Sequence, residues 1–172
     1  EGVVKDTKRL GSVFIHLVTV TKGVITVGEI TEQKVAPSFR QRVRRNHSST
    51  HLIHESLRQL LGSHVAQKGS LNNSERLRFD FSHDLPVTTD QIFLIEQLAN
   101  RYVRQNFRVI SETMPLEEAK KTGARALFGE KYSEDVRVVK IGLEDEKYFS
   151  VELCGGLHVQ SAGEIGLVKI LG

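Results

Sequence analysis

Between Pro37 and Gly62, Val43, His47, Thr50, His54, Leu57 and Leu61 recur at spacings of three and four. That is the period of one helical face, so the spacing predicts a long helix over about residues 38–61. Pro37 breaks the pattern before it, Ser38 reads as the cap, and Gly62 supplies the stop. A helix of this kind is stable only when its less polar face is packed against other elements.

The remaining elements can be read around it. Residues 1–36 look all-β: Val13, Ile15 and Leu17 alternate, Gly23 marks a turn, and residues 24–27 read as a further strand. Residues 77–82 alternate strictly, as a strand with one buried face does. A second helix is expected over about 89–107. Thr88 and Gln91 have the spacing of a capping box, and Ile92, Ile95, Leu98, Ala99 and Tyr102 form its apolar stripe. A short third helix is expected from Pro115 to about residue 121, with Gly123 beyond its end. Three strands then close the chain, over 136–141, 148–153 and 165–170. The order indicates an α+β fold, with a small β-barrel-like module over residues 1–37 and a layered α/β core over residues 38–172.

Composition narrows the functional classes. Of 172 residues, 39% are hydrophobic and 26% charged, which is enough apolar material for a core. No apolar run reaches the length of a membrane span, since Val13 to Val20 is interrupted by His16, and there is no signal-peptide pattern. No membrane partner is expected. The single cysteine, Cys154, excludes an intramolecular disulfide and suits a reducing, cytoplasmic setting. The net charge of +3 is compatible with a polyanionic partner. Its densest source is Arg40, Arg42, Arg44 and Arg45, which serve equally well as a solvated helix entrance. The chain opens on Glu1 rather than methionine and closes on a strand-like run, as a stretch of a longer polypeptide would.

Two short motifs carry chemistry: His47-Ser-Ser-Thr-His51 and Cys154-Gly-Gly-Leu-His158. Helical residues four apart are separated by about 40° and about 6 Å of rise, so two imidazoles can converge on one ion. In the second motif the glycine pair allows a turn tight enough to aim a thiolate and an imidazole the same way. Together they form a Cys/His₃ set of nitrogen and sulfur donors, which suits zinc. His54 shares the helix face, about 20° from His47. His51 with His54 is therefore also a possible chelating pair on geometry alone. His16, His64 and His83 have no ligand spacing.

Five segments, in order, resemble the editing domain of alanyl-tRNA synthetases. Arg45 to His54 is similar to RNHTATHLLH, and Leu61 to Leu71 to LG-x-HV-x-QKGSL. Arg78 to His83 matches RFDFSH, Gly123 to Tyr132 matches GA-x-ALFGEKY, and Ser150 to Val159 resembles S-x-ELCGGTHV. The resemblance implies that His47, His51, Cys154 and His158 are zinc ligands and that His54 packs beside them. It further implies that Thr50 and Gln67 line the pocket that recognises the wrong amino acid. Two departures stand out: Leu157 where the family usually has threonine, and Ser48-Ser49 where it has Thr-Ala.

The activity so implied is hydrolysis of the ester that joins serine or glycine to the acceptor end of alanine tRNA. The partners would be that tRNA and the remainder of a parent synthetase. ATP would be used only in the parent's aminoacylation part, since no nucleotide-binding motif is visible here. Three alternatives stand beside this reading: a free-standing editing protein acting in trans, the related region of a threonyl-tRNA synthetase, and a non-catalytic RNA-binding module with structural zinc. The QKGS and ALFGEKY segments favour the alanyl type over the threonyl one.

Overall fold

The computed structural model describes residues 1–126, 132–142 and 148–172. Leu127 to Lys131, within the ALFGEKY segment, lie outside the described residues. The chain forms two compact units, Glu1–Lys34 and Val35–Gly172.

The first unit is an antiparallel hairpin of β1 (Gly2–Leu10) and β2 (Val13–Val20), with a register shift between Val4 and Asp6. Two strands do not close on themselves, and no barrel is formed among the described residues. Residues 24–27, expected as a strand, are not one. Their polar groups turn back locally instead: Thr26 N donates to the Glu29 carboxylate (3.0 Å) and Glu29 N to Thr26 O (3.2 Å).

The second unit is built on helix α1 (Pro37–Leu61). It begins at Pro37 with no side-chain cap, so Ser38 is not the cap. Proline suits the first helical position because the N–H it lacks would have no partner there. Ser48 through Ser56 bury one flank of α1, and Leu52, Ile53 and Leu57 enter the main core. Helix α2 (Thr89–Gln105) packs on α1 through Ile95, Ala99 and Val103. Its Thr88–Gln91 capping box is formed, with Gln91 N donating to Thr88 Oγ1 at 3.2 Å and Thr88 N to Gln91 Oε1 at 2.9 Å.

The sheets are small. Strands β3 (Gln67–Asn72) and β4 (Leu77–Phe81) make one antiparallel pair. Strand β5 (Arg108–Pro115) pairs with β6 (Asp135–Gly142), which pairs with β7 (Ser150–Leu153), all antiparallel. Helix α3 (Leu116–Lys121) follows β5 and buries Ala119 in a second, smaller core with Val136, Val138 and Leu153. The architecture is thus a mixed α/β one with small sheets.

The last stretch differs from the expected strand over 165–170. It is a single 3₁₀ turn, Ala162–Ile165, followed by chain without a ladder partner among the described residues. Side chains of α2 take the place of a neighbouring strand. Asn100 Nδ2 donates to Val168 O (2.7 Å), and Val168 N donates to Asn100 Oδ1 (2.9 Å). Glu96 accepts from Ile170 N (2.8 Å) and from Lys169 Nζ (2.9 Å). Buried backbone groups need partners, and two side chains supply them here.

Candidate metal centre

Helix α1 carries His47 and His51 one turn apart, and the loop after β7 carries Cys154 and His158. The fold brings all four together: one donor atom from each lies within 4.8 Å of the others. His47 Nε2 is 3.3 Å from Cys154 Sγ, and His158 Nε2 is 3.4 Å from it. The His47 and His158 rings are 4.6 Å apart, and those of His51 and His158 are 4.9 Å apart.

The loop is fixed from both sides. Arg137 Nη1 donates to Gly156 O (2.6 Å), and Cys154 N donates to Arg137 O (3.0 Å). Gly156 lies so close to His47 that an added Cβ would sit 2.9 Å from Nε2 and nearer still to two other ring atoms. Close approach, rather than backbone conformation, requires glycine at this position. Leu157, the departure within the motif, is 40% exposed.

Two of the imidazoles are oriented from behind. Ser48 Oγ is 3.1 Å from His158 Nδ1 and accepts from Val159 N at 3.1 Å. The buried Glu152 carboxylate holds His51, with Oε2 at 3.0 Å from Nδ1. Such a carboxylate fixes the tautomer and leaves Nε2 as the free donor. Glu152 Oε1 also receives His54 Nδ1 (3.2 Å), Arg125 Nη2 (2.9 Å) and Ser150 Oγ (2.9 Å). Arg125 Nη1 in turn pairs with Glu55 at 2.6 Å. His54 is therefore engaged with Glu152 and packed at 5.1 Å from the Phe79 ring. It stands outside the group of four, and its buried Nε2 has no hydrogen-bond partner among the described residues.

The electrostatics follow from this wiring. Burial pushes the Cys154 thiol up, but hydrogen bonds from His158, His47 and His51 outweigh it and hold the thiol at about 3. Burial pushes His51 down, yet the Glu152 carboxylate and the Cys154 sulfur raise it to about 10. Burial also acts to raise Glu152, and His51 with His54 instead holds it well below the usual carboxylate range. His158 is lowered, chiefly by burial. The donor set is thus one thiolate and three imidazoles, two of them oriented by Glu152 and Ser48; it could hold a metal ion, and nitrogen and sulfur donors of this kind suit zinc. A metal would have to displace the proton that His51 carries without it.

Of the residues expected in the amino-acid pocket, Thr50 is buried beside the ligand helix face. Its hydroxyl lies 3.0 Å from Asn46 O and 2.9 Å from Asn72 Oδ1. Gln67 opens β3 and donates to Ser70 Oγ at 3.2 Å. Asn72, Arg125 and Glu152 were not singled out by sequence reasoning, and Ser48 stood out only as a departure from the family pattern. Glu152 lies inside the resembling segment, but its partners are spread from residue 51 to residue 150. A cavity of about 740 Å³ is lined by Arg125, Glu55, Tyr102 and Phe149 among others, and none of the four donors lines it.

The chain is 49% identical over 172 residues to an alanine–tRNA ligase of Parvibaculum lavamentivorans. The match covers 98% of this chain and 19% of that relative. Residues 136–172 match the family described as the threonyl and alanyl tRNA synthetase second additional domain. The chain thus spans about a fifth of the length of the curated relative that it matches. The motif with Cys154 and His158 falls inside the family match; the one with His47 and His51 precedes it and lies within the longer match to the ligase. No helix among the described residues is long and apolar enough to cross a membrane.

Proposed function

We propose that residues 38–172 form a zinc-dependent editing core that hydrolyses the ester of seryl- or glycyl-tRNA(Ala), with residues 1–37 as a β-rich module. The observation that carries the reading is the convergence of His47, His51, Cys154 and His158 beside Thr50 and the β3 strand. The core would act in the cytoplasm as part of a parent synthetase. Ligation and ATP use would belong to the rest of that parent.

The chemical need is asymmetric. A pocket sized for alanine admits smaller glycine and rejects an added hydroxyl poorly, so a second site must sort products after charging. On this reading His47, His51, Cys154 and His158 hold the zinc. When bound, it supplies a localised positive charge that polarises or positions the substrate. Glu152 and Ser48 keep His51 and His158 aimed, and burial of the helix flank from Ser48 to Leu52 excludes water from behind the ligands. Thr50 and Gln67 face the amino-acid side chain, where a polar partner favours serine over alanine.

The test is ester hydrolysis of seryl- and alanyl-tRNA(Ala) by the zinc-loaded protein, the metal-stripped protein and Cys154→Ala. The expected result is zinc-dependent loss of serine, alanine spared, and an inactive variant. A zinc-loaded, folded protein that leaves both esters intact would refute the proposal.

A further inference from the structure

Before His47, helix α1 carries Arg40, Arg42, Arg44 and Arg45, and its first acidic residue is Glu55. Cations at this end of a helix oppose its dipole, so the arginines do not serve the stability of α1 itself. Arg78, Arg125, Lys140 and Lys169 each pair with a carboxylate, whereas these four form no ion pair among the described residues. The buried Nε of Arg44 also has no hydrogen-bond partner there. Glu164 is close enough to feel Arg44, but its oxygens are taken by Gln41 Nε2 (2.8 Å), Gln160 N (2.8 Å) and Ser161 N (3.2 Å). Unpaired guanidiniums beside a helix N-terminus make a strongly positive surface that suits a polyanion.

Helical phase divides the four between two faces. Arg40 lies about 20° from His47 around the axis and Arg44 about 60°, whereas Arg42 and Arg45 lie about 140° and about 160° away. Along the axis, Arg44 stands about 4.5 Å and Arg40 about 10.5 Å before His47. His47 is half-buried and His51 buried, so the helix's share of the donor group is more open at the end facing these two arginines. Two forked guanidiniums one helical turn apart, in line with the ligands, match neighbouring phosphates on a single strand.

We propose that Arg40 and Arg44 bind two successive backbone phosphates of the single-stranded acceptor end, so that the strand runs along α1 and brings its esterified terminus to the four donors. The inference rests on the editing function proposed above and names the surface that receives the RNA. Arg42 and Arg45 are exposed on the other face and take no part.

The experiment uses zinc-loaded protein and two readouts. The first is Kd for tRNA(Ala) carrying serine through a non-hydrolysable amide, over a range of KCl concentrations. The second is kcat/KM for seryl-tRNA(Ala) and for the seryl ester of adenosine, which has no phosphate. Arg40→Gln with Arg44→Gln should raise Kd about tenfold and flatten its log–log salt slope by about 1.4, the value for two single-strand contacts. The ratio of kcat/KM for seryl-tRNA(Ala) to that for seryl-adenosine should fall about tenfold as well. Arg42→Gln with Arg45→Gln removes the same charge from the opposite face and should keep Kd and the ratio within about twofold. Equal effects of the two double variants would overturn the inference, as would an unchanged salt slope in the Arg40 and Arg44 variant. If the unsubstituted protein hydrolyses neither ester, the editing function fails, and the Kd readout alone then decides the inference.

Discussion

Replacing Glu152 by glutamine changes one charge and almost no volume, and its effect can be worked out from four distances. Every partner of this carboxylate can donate: His51 and His54 through Nδ1, Arg125 through Nη2, and Ser150 through its hydroxyl. A glutamine must turn its own donor toward one of them. Oε1 serves three partners and Oε2 only His51, so the amide nitrogen settles against His51 Nδ1. That ring must then carry its proton on Nε2, the atom aimed at the other ligands. Loss of a carboxylate behind a metal-bound histidine typically costs about 10–100-fold in affinity, or about 1.4–2.7 kcal/mol. The metal-free fold should lose stability as well. Breaking a buried charge pair costs about 3–5 kcal/mol, and the low end applies because Arg125 keeps Glu55. Zinc affinity by competition with a chromophoric chelator, together with urea denaturation, measures both. A folded Glu152→Gln protein that binds zinc within twofold of the unsubstituted one would refute the reasoning.

Three further outcomes follow from the same contacts. Gly156→Ala should push the His47 ring out of the group of four and reduce zinc binding more than tenfold, while far-ultraviolet circular dichroism stays unchanged; normal affinity would show that the loop relaxes freely. Asn100→Ala should leave Val168 N and O unpaired and cost about 2–4 kcal/mol in denaturant unfolding; a loss under about 0.5 kcal/mol would mean that the C-terminal segment is not held by α2. The raised His51 stabilises the metal-free fold fully below its unfolded value of 6.5, and this stabilisation is lost as pH rises through about 10. Zinc must expel that proton, so its affinity should climb about tenfold per unit from about pH 7 to about pH 9; a flat profile would contradict a protonated His51.

The two long helices were legible because each has a continuous stripe at helical spacing, and α2 also carries its capping box in adjacent residues. The four donors were legible because each pair sits within a five-residue motif. What was hidden depends on distant parts of the chain. Strand β3 has no apolar alternation, since Gln67, Ser70 and Asn72 are polar and a bulge breaks its period. The stretch over 165–170 has the apolar content of a strand, and its backbone is instead satisfied by Glu96 and Asn100, about seventy residues earlier. His47 and His54 were equivalent partners for His51 by spacing, and residues on other elements separate them: His47 meets Cys154, whereas His54 meets Glu152 and packs on Phe79.

Zinc K-edge X-ray absorption on the protein loaded with one equivalent of zinc tests the site most directly. The account predicts one zinc per chain bound by one sulfur and three nitrogens, with the sulfur lost and the metal released in Cys154→Ala. A shell without sulfur, or a Cys154→Ala protein that holds zinc unchanged, would contradict it.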